Sequence, residues 1–464
     1  MHPSVHATRI GAMALAMLLA AACTDAVSPP ATPSAPPVLS RVGAASSTRH
    51  VMDFSAGIPA DLEARVAAKG GELVRVDEGI GMAVTSGLSD ADADAIAGRA
   101  NNSRDLSARW VPTLEEANAS VVSDAALAPA PDFTLKSPLT AFFYRIGFQW
   151  DMQQIHADQA WAQGRTGLPS VRVAILDTGL DPDHIDQNGT VIDQTTSTWF
   201  TPSLSPGAGP RWTDDHFHGT HVGGTVTTNN IGTAGVAPNV TLVAVKVLNA
   251  SGSGSFADVI SGIYYATNVH VQVINMSLGA YFQKGGREAA QLIRMLNKAV
   301  NYAHAHGVLV VSSAGNQAAD LQHDRNYIAV PCETGVGMCV SATGITDTKA
   351  SYSNYGTNAI NVAAPGGDAD GFVLSLCSSH SINPGLAVCR ARNFYLFAAG
   401  TSMAAPHVAG LGAYLQSQFA GQLNASQMIT SIQQHADDLG APGADPFFGK
   451  GRINVFATVN DPTP

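Results

Sequence analysis

The sequence predicts an α/β fold, a mostly parallel sheet flanked by helices, preceded by a smaller α+β domain. Three observations carry that expectation. Apolar, β-branched runs recur at Val171–Leu176, Val240–Leu248, Val271–Leu278, Val308–Ser313 and Val340–Thr343, the composition of strands buried on both faces. Helical stretches lie between several of them, Phe256–Asn268 and Arg287–His306 being the clearest, with Ser426–Leu439 following late. Such alternation implies parallel pairing. Finally, charged residues make up only 13% of the chain, against about 25% in average soluble domains. Abundant Gly and Ala take their place, which suits helices packed closely on a sheet.

Taken in order, residues 1–22 read as an export signal. Arg9 precedes the apolar run Ile10–Ala22, too short to span a bilayer, and Ala20-Ala21-Ala22 is a small-residue cleavage site. Cys23 follows at once, so acylation of Cys23 after cleavage is an alternative to free secretion. Residues 23–47 form a linker carrying Pro29, Pro30, Pro33, Pro36 and Pro37, extended and without a core to join. Residues 48–110 are compact. Strands at Val51–Phe54, Gly71–Val76 and Gly81–Val84 and helices at Pro59–Lys69 and Ser89–Ala97 make up most of a ferredoxin-like pattern. A second linker, 111–140, includes Ala126-Leu127-Ala128-Pro129-Ala130-Pro131. The main domain occupies 141–464, and no internal repeat is found.

Apart from Cys23, four cysteines remain: Cys332, Cys339, Cys377 and Cys389. An even number in an exported chain points to two disulfides. Of the three pairings, Cys332–Cys339 with Cys377–Cys389 is favoured because each closes a short loop. Four buried thiols is the other reading. A net charge of −11 without a basic cluster argues against nucleic acid as a partner, and a monomer is expected.

Three segments carry chemistry. Asp177 ends a buried strand and precedes Thr178-Gly179. His218 opens His218-Gly219-Thr220-His221-Val222-Gly223-Gly224-Thr225, and Ser402 sits where the helix of Gly400-Thr401-Ser402-Met403-Ala404-Ala405-Pro406-His407 begins. A serine hydroxyl needs a base to act as a nucleophile. Asp, His and Ser in this chain order supply an orienting acid, a base and a nucleophile. Alone, Asp177 would be a turn residue. His218 and His221, three apart, could share a metal, but no Glu follows the first His and no third ligand is evident, so no metal site is assigned. His221 reads as a packed neighbour, and Asp181, Asp183, His184 and Asp186 as solvated loop residues. Pro406 breaks the helical pattern, a violation typical of functional sites.

With these motifs in one order, the chain resembles the subtilases, subtilisin-like serine endopeptidases, over about residues 148–458, closing with Gly449-Lys450-Gly451-Arg452-Ile453-Asn454-Val455. The resemblance implies a subtilisin-like fold in which Asp177 orients His218, His218 shuttles the proton, and Ser402 attacks the peptide carbonyl. Asn316, ending Val310-Val311-Ser312-Ser313-Ala314-Gly315, would join the Ser402 amide in holding the oxyanion. Gly252, Ser253 and Gly254 would pair with extended substrate along one wall, and Ser277, Leu278 and Gly279 along the other. Pro406 is accounted for by the same resemblance. The small domain would assist folding and act as an intramolecular inhibitor, a propeptide removed by self-cleavage in the second linker. Were Cys23 lipidated, the anchor would stay with that domain.

Protein or peptide substrates of broad, apolar or aromatic preference follow from the resemblance. No cofactor is required for the chemistry, while a structural calcium is compatible with the family, Asp347 lying near a position that supports one in some relatives. Two departures stand out. Gly223 replaces a common Ala, and Ala280 replaces a frequent Gly, which is expected to narrow the primary specificity pocket. The competing class is a catalytically silent peptide-binding protein on the same fold, whose signature, a missing site residue, is absent.

Overall fold

The computed structural model describes residues 48–461 except 114–116, 118, 124–136, 208, 325 and 392–393. The expected export signal, Cys23 and the first linker lie outside these residues.

The small domain completes the pattern that its sequence half spells. Strand β1 (His50–Asp53), helix α1 (Leu62–Ala67), β2 (Glu72–Asp77), β3 (Met82–Ser86), α2 (Asp90–Ala97) and β4 (Asn102–Arg104) run βαββαβ, with antiparallel strand order β2-β3-β1-β4. The short polar β4, Asn-Ser-Arg, has no apolar alternation to announce it. Ser89 caps α2 by accepting from the Asp92 amide at 3.1 Å, one of the orphan donors of a helix start. One side of the sheet packs on its own helices through Met52, Leu62, Val66, Ala83 and Ile96. Val51, Ile80, Met82 and Val84 instead join the core of the main domain.

Two short strands follow. β5 (Ser107–Arg109) and β6 (Ser120–Ser123) each pair with the main domain. Helices α3 (Phe142–Arg145), α4 (Trp150–Gln154) and α5 (Ala157–Ala162) then lead into β7 (Arg172–Asp177), β8 (Thr198–Trp199), α6 (His218–Val226), β9 (Thr241–Lys246), β10 (Ser253–Ser255), α7 (Phe256–Asn268) and β11 (Val273–Met276). After β12 (Ala280–Gln283), α8 (Arg287–Ala305), β13 (Leu309–Ser313), β14 (Tyr327–Val330), β15 (Met338–Thr343), β16 (Val362–Pro365), β17 (Val373–Leu376) and β18 (Phe394–Ala398) come α9 (Thr401–Gln418), α10 (Ala425–Gln434) and α11 (Val455–Asn460).

Seven strands form one parallel sheet in the order β16-β15-β13-β11-β7-β9-β8. Its five interior strands are those anticipated from sequence, buried on both faces as their apolar runs require. One cluster joins the sheet to α9 through Val408, Leu411 and Leu415. The opposite one holds Ile260 and Ile263 of α7 and Leu292, Met295 and Leu296 of α8. Leu292, Met295, Leu296, Ala299, Val300 and Ala303 are buried in α8 at helical spacing.

Two expectations change. The late helix ends at Gln434, not Leu439, because the Asp437 backbone pairs with Arg452 (2.8 and 3.0 Å). The second linker is not structureless: Val121 and Val122 lie in β6, which completes a three-stranded antiparallel sheet β17-β18-β6. Bonded pairs Cys332–Cys339 and Cys377–Cys389 match the local pairing.

Asp186, expected from sequence to be solvated along with Asp181 and His184, is buried as they are, and its carboxylate pins a loop. Asp186 accepts from the amides of Ile231 (2.7 Å), Gly232 (2.8 Å) and Thr233 (3.0 Å) and from Tyr395 Oη (2.9 Å). An Asp186→Asn change sets an NH2 group against donors, and should lower stability by about 2–3 kcal/mol, read as a shifted urea midpoint at unchanged slope. An unmoved midpoint would show that the amides find other acceptors.

Candidate active site

The three motif residues come from three elements. Asp177 is the last residue of β7, His218 the first of α6 and Ser402 the second of α9. His218 Nδ1 lies 2.9 and 3.0 Å from the two Asp177 carboxylate oxygens, both side chains being fully buried. A carboxylate only accepts, so Nδ1 carries the hydrogen and Nε2 is left basic. Nε2 has no hydrogen-bond partner among the described residues. Ser402 Oγ donates instead to the Ser277 carbonyl at 3.1 Å. Asp177 and His218 are therefore joined while the Ser402 hydroxyl is turned to the neighbouring wall.

What holds the acid and base together was not read from the sequence. Asp214, buried, accepts from Thr178 Oγ1 (2.8 Å), the His216 amide (2.9 Å), and the Thr220 amide and hydroxyl (2.9 and 2.6 Å). It thus ties the turn after Asp177 to the first turn of α6, where unpaired amides favour an anion. Burial raises its pKa, opposed by Lys246 and the Thr220 bonds. Beside it Lys246 Nζ pairs with Asp215 at 2.6 Å, both fully buried, and also donates to Leu248 O and Thr178 O. Gly179 stands at φ +115°, and a Cβ there would meet the Asp214 amide at 2.8 Å, so only glycine lets the two segments approach. The adjacent acids Asp214-Asp215 just before the His motif were the available signal.

Burial pushes the His216 and His221 rings down to about 3. His221 Nε2 lies 2.9 Å from the Leu396 carbonyl, so it is a packing residue, and it does not converge with His218 on a metal. Gly223 also finds a reason. A Cβ there would lie 2.7 Å from Leu180 Cδ2 and 2.8 Å from Gln187 Nε2.

Asn316 Oδ1 accepts from the Thr401 amide (2.9 Å) and hydroxyl (2.7 Å). Its orientation is thereby fixed and its NH2 group is left as the donating end. That Nδ2 would stand 3.3 Å from a Cβ on Gly400, two residues before Ser402. Ser277 Oγ donates to the Ser402 carbonyl at 2.8 Å, and Leu278 is buried behind it. Ala280 is buried in β12 opposite Val330 of β14.

Both proposed walls are occupied by the chain itself. β5 pairs antiparallel with β10, Arg109 opposite Ser253 and Ala108 opposite Gly254. The Trp110 amide donates to Gly252 O (2.8 Å), its indole to Gly254 O (3.0 Å), and its carbonyl accepts from the Gly279 amide (2.9 Å). The carbonyl of Ala117 then accepts from the Ala399 amide at 3.0 Å, three residues before Ser402. Gly252, Ser253, Gly254 and Gly279 thus hold the backbone of residues 107–111, and the Ala117 amide turns back to the Thr113 carbonyl at 3.0 Å.

Asp347 pairs with the Arg452 guanidinium at 2.5 Å, which fills the place of a cation, and the Asp186 oxygens face only donors; neither fits calcium. His184 bonds the Phe394 carbonyl (2.9 Å) and leaves the loop carboxylates. Asp181 and Asp183 instead converge with His380, whose Nε2 lies 2.9 Å from Asp183 and 3.7 Å from Asp181.

Residues 169–451 match the subtilase family. Subtilisin DY from Bacillus licheniformis is 38% identical over 308 residues, covering 66% of this chain and 96% of its own. The thermophilic serine proteinase of Bacillus sp. (strain AK1) is 30% identical over 447 residues, 95% of this chain and 94% of that one. Among solved structures, a lanthipeptide protease superposes with TM-score 0.61 at 27% identity over 70% of this chain and 99% of its own. The epidermin leader peptide processing serine protease from Staphylococcus aureus gives 0.66 at 22% identity over 89% of this chain and 98% of its own, a likeness of fold.

The ring assignments lead to a pH prediction. Unfolded histidines bind a proton below about 6.5, whereas His216 and His221 stay neutral until about 3. Stability should therefore fall as pH drops from 6.5 towards 3, by about 1.4 kcal/mol per unit for each ring. Imidazole 15N shifts should show both rings unprotonated from pH 5 to 9; titration of either near 6.5 would contradict the burial argument.

Proposed function

The chain belongs to the subtilase family of serine endopeptidases, and on that premise we propose that Asp177, His218 and Ser402 are its triad, acting in a precursor that processes itself. The observation carrying this reading is the buried Asp177–His218 bond at 2.9 Å with Nε2 left bare. A base so oriented accepts the Ser402 proton once Oγ swings from the Ser277 carbonyl. Ser402 attacks the peptide carbonyl, and the oxyanion is held by Asn316 Nδ2 and the Ser402 amide. His218 passes the proton to the leaving amine, an acyl-enzyme remains, and water releases it through the same base. Every step uses protein groups alone.

The substrate is polypeptide, gripped by backbone between Gly252–Gly254 and Ser277–Gly279. Such pairing is tolerant of sequence, so specificity is broad. Leu278 and Ala280 line the primary pocket, and the Ala280 methyl narrows it. The chain is exported, secreted or held at the envelope through Cys23; no described helix is long and apolar enough to cross a membrane. The small domain is the inhibitor: β5 and Trp110 lie on the non-leaving side of the cleft, and the AK1 relative aligns over 95% of this chain. The cut falls between Val111 and Ala117, within the expected linker.

Intact mass tests the reading. Wild type should lose its first ~111–116 residues, linker positions being the cleavable ones. Ser402→Ala should stay whole, and Asn316→Ala should process about 10²–10³ slower. Equal processing of wild type and Ser402→Ala would remove Ser402 from the chemistry.

The inhibitory grip is pH-dependent. At the interface Arg49 pairs with Asp258 (2.7 Å), and buried Asp105 accepts from the Ala257 amide (3.1 Å). Burial pushes the Asp105 carboxyl up to about 6, against Arg49 and that amide. Released, it returns to about 3.9. The complex thus holds a proton that the free domain loses, and binding weakens as pH rises from 4 to 6. The apparent inhibition constant of the processed complex should rise up to tenfold per unit in that window and level off above it. Asp105→Asn should flatten the slope; an unchanged slope would assign it to another group.

A further inference from the structure

Asn275 is out of place as a packing residue. In β11, Val273 and Asn275 point to one face of the parallel sheet, Ile274 and Met276 to the other. Val273 belongs to the core shared with α9, as do Ile175 and Val311, the register neighbours of Asn275 on β7 and β13. A fully buried amide therefore sits in a row of aliphatic side chains. Its Oδ1 has no hydrogen-bond partner among the described residues. An unpaired buried acceptor lowers stability, so folding by itself would favour an apolar residue at this position.

The other end of the amide serves Ser402. Asn275 Nδ2 donates to Ser277 Oγ at 2.9 Å, and Ser277 Oγ donates to the Ser402 carbonyl at 2.8 Å. A carbonyl only accepts, so the single hydroxyl hydrogen of Ser277 is committed to it. The group that faces Oγ from Asn275 must then be the NH2. Pro406 explains why that carbonyl takes a donor from outside. In a helix it would accept from the amide four residues on, but proline has no N–H and its ring presses on that same carbonyl. α9 runs through Pro406, and Ser277 supplies the donor that the proline withholds. Ser277 also accepts from Ser402 Oγ through its own carbonyl, at 3.1 Å. One residue thus holds Ser402 by backbone and by side chain, and Asn275 holds that residue.

We propose that Asn275 is a positioning residue for the nucleophile. The relay from Asn275 Nδ2 through Ser277 Oγ to the Ser402 carbonyl sets the backbone of Ser402, and with it the amide and hydroxyl that act on the substrate. The proposal rests on the serine-protease reading above and deepens it. No bond of the relay is made to substrate, so its loss falls on the chemical step and not on binding. The unpaired Oδ1 is a local violation of good packing, of the kind that functional sites retain.

The test compares processed wild type with Asn275→Leu, Ser277→Ala and the double variant. Active sites are counted with a serine-reactive phosphonofluoridate, and turnover is read on one internally quenched peptide. Asn275→Leu should lower kcat about tenfold, the scale of one net hydrogen bond, with KM within about twofold and Tm unchanged or higher. Ser277→Ala should lose a similar factor. In the Ser277→Ala background Asn275→Leu should cost nothing further, because residues that act as one unit are not additive. Where the leucine does not fold, Asn275→Ala carries the kcat and additivity readouts. Unchanged kcat with an active wild type, additive losses in the double variant, or a lower Tm with a raised KM in Asn275→Leu would each overturn the relay and leave the protease reading standing. A wild type that neither cuts the peptide nor takes up the phosphonofluoridate would bring down both.

Discussion

The site depends on one buried carboxylate that takes no part in the chemistry. Asp214 accepts four hydrogen bonds, two from α6, one from the loop entering it and one from the turn after β7. Burying a charge costs several kcal/mol unless donors replace its water, and here every donor belongs to a segment that must be aligned. The strand that carries Asp177 and the helix that carries His218 are 41 residues apart in sequence. Asp214 makes their approach a condition of its own solvation. Lys246 and Asp215 repeat the device one step deeper, with Lys246 also donating to Thr178. The Asp177–His218 distance follows from these constraints as well as from the pair's own attraction.

Ser402 is positioned by packing. In α9 every residue from Thr401 to Ser417 is buried, and small side chains let it lie against the sheet. A Cβ on Gly410 would meet Val236 at 2.8 Å, and one on Gly412 would meet Leu309 at 2.6 Å. Thr401 then fixes Asn316 through two bonds to one oxygen, so the donating end of the amide is oriented before any substrate arrives. That is the preorganisation an oxyanion site requires. Only Ser402 Oγ lacks a bond to His218, donating to the Ser277 carbonyl instead.

The same economy of parts governs the contact between the small domain and the main one. One face of the small domain's sheet covers its own helices and the other covers α7 and α8. Arg49 and Arg75 both reach Asp258 in the first turn of α7. A helix start attracts acids, and the two guanidiniums use the acid placed there. The contact is thus apolar across the sheet face and charged at the start of α7.

Much of this was legible in the sequence. Five interior strands were readable because two-sided burial leaves continuous apolar runs, and α7 and α8 because their periods are long. Asp177, His218, Ser402 and Asn316 stood out as candidates because each sits in a local motif at an element boundary. Signals failed where an element owes its form to a distant partner. β4 and β6 are too short and polar to declare themselves, β16 is four residues long, and the late helix stops where Asp437 meets Arg452. The roles of Asp214, Lys246 and Asp186 lie in donors remote along the chain, and single residues carry no trace of such partners. Sequence by itself determined which chemistry the chain holds, since reactive side chains are written locally. Tertiary structure alone decided how those groups are aligned and what fills the cleft, because burial forces every polar atom to find its partner wherever the fold has brought one.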